Sequence, residues 1–359
     1  MFSKRVHPQV VSYLYLLSLL VFGAGVHAEH PILTPSPMPL RLAETGLYAA
    51  GSLFEVRPEN QPFSPQYPLW SDGAFKRRWL YIPPGKAIDA SRPAAWEFPP
   101  GTKLWKEFSY GRPVETRLIE RLADGTWRYA AYVWNDEGSV ATLVPATGIA
   151  ALPVKSAPNG RYAIPSEQDC RACHEGAAVP VLGVSALQLS PDRDPLALHA
   201  QPRQVDEIDL RGLVARRWLR NLAPALLETP PRIDAASSTE RAALGYLHGN
   251  CGHCHNSDDA APPVDLVLAQ GVGGTANAVR VLRTLVGARS RYRVPGLPAS
   301  APLIEPGHPD ASVLPARMRS RNPVGQMPPL GTQIPDAEAL AVIERWIHNL
   351  PSTRKEIQP

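Results

Sequence analysis

Cysteine is scarce in this sequence, with only four residues in 359. None of them lies near the apolar N-terminal segment, which argues against a lipid anchor attached through cysteine. An exported chain with an even number of cysteines could use them in disulfides. However, bridges between cysteines three positions apart would close very small loops and would constrain the unfolded chain little. We therefore expect these thiols to have a chemical role.

A strong charge of either sign is also missing. The chain has 37 basic and 33 acidic residues, for a formal net charge of +4, which is too small a bias to predict a nucleic-acid partner. It shows no glycine-rich phosphate loop, no Ser-His-Asp set and no pair of carboxylates whose spacing indicates acid–base catalysis. No catalytic residue can be named from the sequence, and whether the protein is an enzyme stays open.

Long apolar runs are absent except for one near the N-terminus, from about residue 10 to 26. This run follows Lys4 and Arg5 and ends in small residues at Ala28, which is the order of a secretory signal peptide. The alternative is a transmembrane anchor, but the apolar core is short for a span and no basic cluster follows it. We expect cleavage near Ala28 and a periplasmic or otherwise exported chain without a stable membrane span. Loss of two basic residues would lower the net charge from +4 to +2.

What the sequence does contain is the pattern Cys-x-x-Cys-His, which occurs twice and uses every cysteine. We name Cys170–His174 motif I and Cys251–His255 motif II. The Cys-Gly-His-Cys of motif II also occurs in thioredoxin-like sites, but there a strand precedes the motif. Here the preceding segment predicts a helix that begins at Ser237. Zinc is a further alternative, although structural zinc sites rarely place a histidine directly after the second cysteine.

The histidine after each second cysteine favours attachment of c-type haem. With ten histidines in the chain, chance would place one after both motifs with a probability below about 0.001. In haem c, two thiols add across the vinyl groups and the adjacent histidine is the proximal iron ligand. We therefore predict two haem c groups. Their attachment sites are Cys170, Cys173 and His174, and Cys251, Cys254 and His255.

Methionine is scarce too, and its position suggests a sixth ligand for only one iron. Met327 begins a Met-Pro-Pro loop that precedes a helix predicted to start at Asp336. This arrangement resembles the end of a class I cytochrome c domain, so we predict that Met327 ligates the second iron. No methionine follows motif I before motif II, and His199 is the candidate for the first iron. A different ligand or an empty sixth position remain open alternatives.

The predicted fold class is an α+β multidomain protein, in which an N-terminal β-rich domain precedes two mainly α-helical, loop-rich cytochrome c-like haem domains. Six of the eight tryptophans fall in the β-rich segment. Within it, residues 114–136 predict a hairpin with a two-residue turn at Asp124-Gly125. The expected divisions are a signal peptide (1–28), a Pro-rich lead-in (29–50), the β-rich aromatic domain (51–165), a first haem region (166–230), a second haem domain (231–352) and a tail (353–359).

Three shorter patterns complete the expectations. Lys76-Arg77-Arg78 predicts a solvated basic face, with docking of an acidic redox partner as the alternative. Glu115 and Arg117, two apart on a strand, predict an exposed ion pair that contributes little. Between the haem motifs, a helical stripe is expected to close the first haem region; it consists of Leu210, Val214, Trp218 and Leu222.

Several blocks of the chain resemble an uncharacterised family of exported di-haem c-type cytochromes of Gram-negative bacteria. The blocks cover most of residues 51–350, and they include YPLWSDGAFKRRWLYIPPG, FPPGTKLWKEF, IPSEQDCRACH, RAALGYLHGNCGHCH and QMPPLGT. Members of the family tend to be encoded beside a parallel β-helix protein. The resemblance therefore implies an exported redox partner, for which a parallel β-helix protein is the candidate. It implies an architecture and not a reaction.

These observations lead to one preferred function and two alternatives. We expect a periplasmic di-haem cytochrome that transfers electrons between exported partners, since ligation determines what a haem does. The first alternative is a di-haem peroxidase- or oxidase-type enzyme that uses an open first haem. The second is a β-domain that binds a ligand and is coupled to haem redox chemistry. An iron with a filled sixth position would favour electron transfer over the first alternative.

Overall fold

The computed structural model describes residues 37–52, 54–93, 95–257 and 265–351. The predicted signal peptide, the start of the lead-in and the tail at 353–359 lie outside the described residues. Within these ranges the strands are β1 (Gln61–Pro62), β2 (Phe75–Tyr81), β3 (Ile88–Asp89), β4 (Lys103–Ser109), β5 (Pro113–Arg121), β6 (Trp127–Trp134), β7 (Ala141–Leu143), β8 (Ile149–Pro153), β9 (Arg161–Ile164) and β10 (Leu219–Arg220). The α-helices there are α1 (Glu167–His174), α2 (Leu210–Ala215), α3 (Ala225–Glu228), α4 (Ser238–Cys251), α5 (Thr275–Leu285), α6 (Val313–Arg319) and α7 (Ala337–His348).

A six-stranded antiparallel sheet, in the order β1-β2-β4-β5-β6-β7, forms the largest element. Its strands are rich in aromatic and branched side chains that alternate between two faces, as a pleated strand requires. The predicted hairpin is confirmed as β5 and β6. Its turn is longer than predicted, because Leu122 N donates to Thr126 O at 2.8 Å and three residues lie between them.

The outer face of the sheet is covered by the segment that precedes it. Trp79, Trp105 and Leu118 are neighbours on this face and pack against Leu42 and Leu47. The Trp105 indole Nε1 donates to Thr45 Oγ1 at 3.0 Å, within a short 3-10 helix at Leu42–Thr45. Part of the Pro-rich lead-in is therefore core structure.

The opposite surface, which we name the inner face, turns towards motif I. Strand register places three cross-strand rows on it: Lys76, Phe108 and Glu115; Arg78, Lys106 and Arg117; and Leu80, Leu104, Ile119 and Tyr129. The third row is apolar and packs in one cluster with Cys170 of motif I. The inner face therefore combines an apolar half with a charged half.

Helices α4 and α7 begin where the sequence predicts and pack against each other. Ser237 Oγ accepts the Glu240 N–H at 3.1 Å, which satisfies one free N–H group of α4, and the Glu240 carboxylate accepts the N–H of Ala236, just before the cap, at 2.8 Å. Asp336 accepts the Ala339 N–H at 3.1 Å at the start of α7. The buried Trp346 of α7 donates from Nε1 to the Glu240 carboxylate at 3.1 Å.

Two glycines on α4 allow this helix to lie directly on the segment that leads into the sheet. A Cβ at Gly245 would come within 2.2 Å of the Tyr67 ring, and one at Gly249 within 2.4 Å of the Tyr67 carbonyl oxygen. Contacts this short exclude any side chain unless the neighbouring atoms move. The helix that ends in motif II is thus in direct contact with Tyr67, with its ring at Gly245 and with its main chain at Gly249.

The predicted fold class is wrong. The structure is dominated by the six-stranded sheet, and its short helices do not form two α-helical cytochrome c-like domains. The segment after motif I folds back onto the β-rich part, where β10 pairs in parallel with β3. The predicted helical stripe is also too long, because α2 ends at Ala215 and Arg217 has a φ of 59°.

None of the described helices has both the length and the apolar character needed to cross a membrane.

Candidate functional site

Motif I lies on α1, whose first turn is capped by its own sequence. Ser166 Oγ accepts the Asp169 N–H at 3.1 Å, while the Asp169 carboxylate accepts the Ser166 N–H at 2.9 Å. Within the helix, Cys170 and Cys173 are three residues apart, so both thiols project from the same side. Helix α1 therefore presents the two thiols and the following histidine together.

The proximal histidine of motif I is already oriented. His174 Nδ1 lies 2.6 Å from Pro180 O. Because a carbonyl oxygen only accepts, Nδ1 must carry the proton and Nε2 must keep its lone pair. Burial lowers the pKa of His174 to about 4, so the ring is neutral near pH 7. A backbone carbonyl that fixes the tautomer in this way is the usual second partner of a metal-bound histidine.

Motif I opens into a cavity of about 490 Å³, which we name cavity I. Cys170, Cys173 and His174 line one part of it. Lys106 and Arg117 line another part, where they project from the inner face of the sheet. The sheet thus supplies a wall of the first candidate haem site.

Motif II occupies the turn that ends α4. The Cys251 carbonyl accepts the N–H groups of Cys254 at 3.1 Å and His255 at 2.9 Å, which winds the motif into a single turn. The His255 carbonyl in turn accepts the Leu268 N–H at 2.7 Å. Among the described residues, no group hydrogen-bonds His255 Nδ1, although this atom is buried. The Nδ1 atom of His255 is therefore buried without a hydrogen-bond partner in that part of the chain.

Motif II opens into a second cavity of about 690 Å³, named cavity II. Cys251, Cys254, His255 and Met327 all line it, so the structure brings together the residues predicted for the second haem. Two hydrogen bonds join the Met327 loop to Arg317 of α6. Met327 N donates to Arg317 O at 3.1 Å, and Arg317 Nε donates to Gly325 O at 2.9 Å.

His199 is not brought to motif I, and this corrects the sequence-based expectation. Its Nε2 lies 2.8 Å from the Asp336 carboxylate, and its Nδ1 lies 3.5 Å from the Glu338 carboxylate. With both ring nitrogens facing carboxylates at the start of α7, His199 supports that helix and not the first iron. The sequence pattern could not reveal this, because Asp336 is 137 positions away.

The two cavities share a wall. Cys173, Asn250 and His253 line both of them, together with the loop at 328–330. The two motifs also touch, because Asn256 Nδ2, just after motif II, donates to the Gly176 carbonyl at 2.8 Å, just after motif I. Groups attached to the two motifs would therefore be close neighbours.

Buried charges on the inner face were missed by the sequence analysis. Lys76 and Arg78 are each 7% exposed, whereas a solvated face was predicted. Glu115 is fully buried and accepts Arg117 Nε at 2.7 Å, Arg117 Nη2 at 2.9 Å and the Tyr162 hydroxyl at 2.6 Å. The alternation of residues along each strand could have revealed this burial. These charged residues are two or four positions from apolar residues and so share a face with them.

The residues present fit haem. All four cysteines are free thiols in the structure. Burial raises the pKa of Cys170 to about 11 and of Cys251 to about 12, so both are protonated thiols near neutral pH. Both cavities fall within the range of about 300–1,000 Å³ that is typical of small-molecule and cofactor sites. The fixed tautomer of His174 agrees with the proximal role, whereas His255 has no such partner for Nδ1 among the described residues.

No protein-family model, curated protein or solved structure matches the chain. Within the described ranges, no group of three or more His, Cys, Asp and Glu side chains is arranged to hold a metal ion. Haem iron needs at most two axial ligands from the protein, because the porphyrin supplies the other four.

Proposed function

We propose that this protein is an exported, periplasmic di-haem c-type cytochrome that transfers electrons between redox partners. The observation that carries the proposal is the wall shared by cavities I and II. Two redox groups that face one another across a few side chains can exchange electrons, whereas two isolated sites could not form a relay. Cys173 and His253 contribute to this wall directly from the two motifs.

The chain's own residues would set the properties of each site. Haem supplies one-electron chemistry when bound. His174 would present Nε2 to the first iron, because its Nδ1–H is held by Pro180 O. Met327 would supply a thioether to the second iron, and thioether ligation raises the reduction potential. The second site would therefore be the higher-potential end of the relay.

The rim of cavity II supports a partner of opposite charge. Arg289 is exposed at this cavity and Arg317 also lines it, whereas Asp265 is the one acidic residue among the described residues of its lining. A basic rim steers an acidic surface into the correct orientation. We therefore propose an exported, acidic redox partner that docks at cavity II. The parallel β-helix protein implied by the family resemblance is the candidate.

The test is covalent stoichiometry followed by a redox titration. Intact mass of the protein from a host that attaches haem c should exceed the mass of the processed chain by two haems. Replacing Cys170 and Cys173 with Ala should remove one haem, and replacing Cys251 and Cys254 should remove the other. The native protein should then titrate in two one-electron steps. A mass without haem, or bound zinc in its place, would overturn the proposal.

A further inference from the structure

Neither Met327 nor His199 is placed to supply a sixth ligand to the proposed first iron. Met327 lines cavity II, and His199 faces Asp336. The lining of cavity I contains two other nitrogen donors that could bind iron, Lys106 and His253. We consider how each of them is placed.

Lys106 lies in the middle of the charged row of the inner face. Strand register puts Arg78 on one side of it and Arg117 on the other. Arg117 is paired with Glu115, but within the described part of the chain Lys106 forms no ion pair. Its amine lies 4.8 Å from the centre of the Phe108 ring and lines cavity I. A half-buried lysine that faces cations and no carboxylate is costly unless it loses its proton or binds something.

The surroundings of Lys106 favour the neutral amine. Burial, followed by the positive charges of Arg78 and Lys76, lowers the pKa of Lys106 well below its usual value. The neighbouring arginines cannot lose their protons, so Lys106 is the group that is deprotonated. A neutral amine has a lone pair, which is what an axial iron ligand requires.

The sheet also places Lys106 on a different strand from the tyrosine that packs on His174. The His174 ring packs 5.5 Å from the ring of Tyr129 on β6, whereas Lys106 projects from β4. These strands are separated by β5, and so by about 9–10 Å. The backbone of His253 instead adjoins Gly176, where a Cβ would come within 3.1 Å of the His253 carbonyl oxygen. The backbone of His253 is thus held directly beside motif I.

We propose that Lys106 is the sixth ligand of the first iron. This assignment rests on the proposed attachment of haem at motif I. A filled sixth position would make cavity I a site for electron transfer, in which exogenous ligands have no open coordination position. It would also explain why a lysine without an ionic partner is placed in the wall of the cavity.

The decisive experiment uses the native two-haem protein labelled with ¹⁵N only at lysine. Pulsed electron paramagnetic resonance should show a directly coordinated ¹⁵N at one of two low-spin ferric haems. Protein labelled only at histidine should show coordinated ¹⁵N from one histidine, and not two, at that haem. The Lys106→Arg variant keeps a long basic side chain but removes the ligand, because the guanidinium keeps its proton. It should convert one haem of the two to high spin and let ferrous protein bind one equivalent of carbon monoxide. Lys103→Arg, on the same strand but the outer face, is the matched control and should leave both haems low-spin.

The possible results separate this assignment from the proposed function. Intact mass is measured on every sample, so loss of haem would refute attachment and not ligation. One high-spin haem in the native protein, or low-spin iron without coordinated lysine nitrogen, would overturn the role of Lys106. If His253→Asn and not Lys106→Arg creates the high-spin haem, His253 is the ligand. The labelled native protein gives an answer even if a variant does not fold.

Discussion

Removal of the Glu115 charge should destabilise the protein strongly. Glu115 is fully buried and neutralises Arg117 through bonds of 2.7 and 2.9 Å. In Glu115→Gln the Arg117 cation would remain on a face that already carries Lys76, Arg78 and Lys106. Breaking a buried ion pair from one side costs about 3–5 kcal/mol. Because Arg117 keeps 28% of its side chain exposed, we expect the lower end, about 3 kcal/mol.

This loss can be measured by urea unfolding of the haem-containing protein, followed by tryptophan fluorescence. Six of the eight tryptophans lie in the β-rich segment, so this signal reports the sheet. Tyr162→Phe removes only the 2.6 Å hydrogen bond to the same carboxylate. It should cost about 1.5–3 kcal/mol, as expected for a bond to a charged group.

A double-mutant cycle tests whether the loss of stability comes from the unpaired Arg117 cation. If the cost comes from an uncompensated cation, Glu115→Gln combined with Arg117→Met should lose less stability than Glu115→Gln alone. A loss below about 1 kcal/mol in Glu115→Gln would show that the pair contributes no more than an exposed one. Additive losses in the double variant would refute the charge argument as well.

Two further predictions concern the second haem and pH. Met327→His should keep the second haem low-spin but lower its midpoint potential, since imidazole favours ferric iron more than a thioether does. An unchanged potential in a redox titration, or the same shift from Met318→Ala, would contradict this ligation. Burial and the charges of Arg78 and Arg117 lower the pKa of Lys76 from 10.5 to about 7. Between about pH 7 and 10.5, Lys76 is therefore protonated in the unfolded chain and neutral in the folded chain. In this window the free energy of unfolding should rise with pH by up to about 1.4 kcal/mol per unit. Lys76→Met should flatten that rise in urea titrations at several pH values, and an unchanged slope would refute the shift.

Local sequence signals predicted local structure well. The start of α4 at Ser237, the start of α7 at Asp336 and the hairpin of β5 and β6 are all confirmed. Each depends on residues a few positions apart, such as a cap and its N–H groups. The Met327 loop also reaches motif II as predicted, because a Met-Pro-Pro segment before a helix is a specific pattern.

The parts that failed depend on contacts between distant segments. Two separate haem domains were expected because each motif reads as an independent unit, yet the inner face of the sheet forms a wall of cavity I. His199 was assigned by its distance along the chain from motif I, whereas its partner Asp336 comes from α7. Charges in strands β2 and β5 were assumed to be solvated or exposed, since nothing local shows which sheet face is covered. One sequence cannot reveal such pairings.

The two glycines of α4 have a consequence for how this protein can vary. Gly245 and Gly249 allow the Tyr67 segment to touch the helix that ends in motif II. Asn250, next along the helix, accepts the Trp70 N–H at 2.6 Å and continues that contact into the wall shared by the cavities. At Gly249 this contact is backbone against backbone, whereas at Gly245 it is backbone against the Tyr67 ring. A single methyl group at Gly249 would therefore push the helix that carries motif II away from the Tyr67 segment, which lines cavity I.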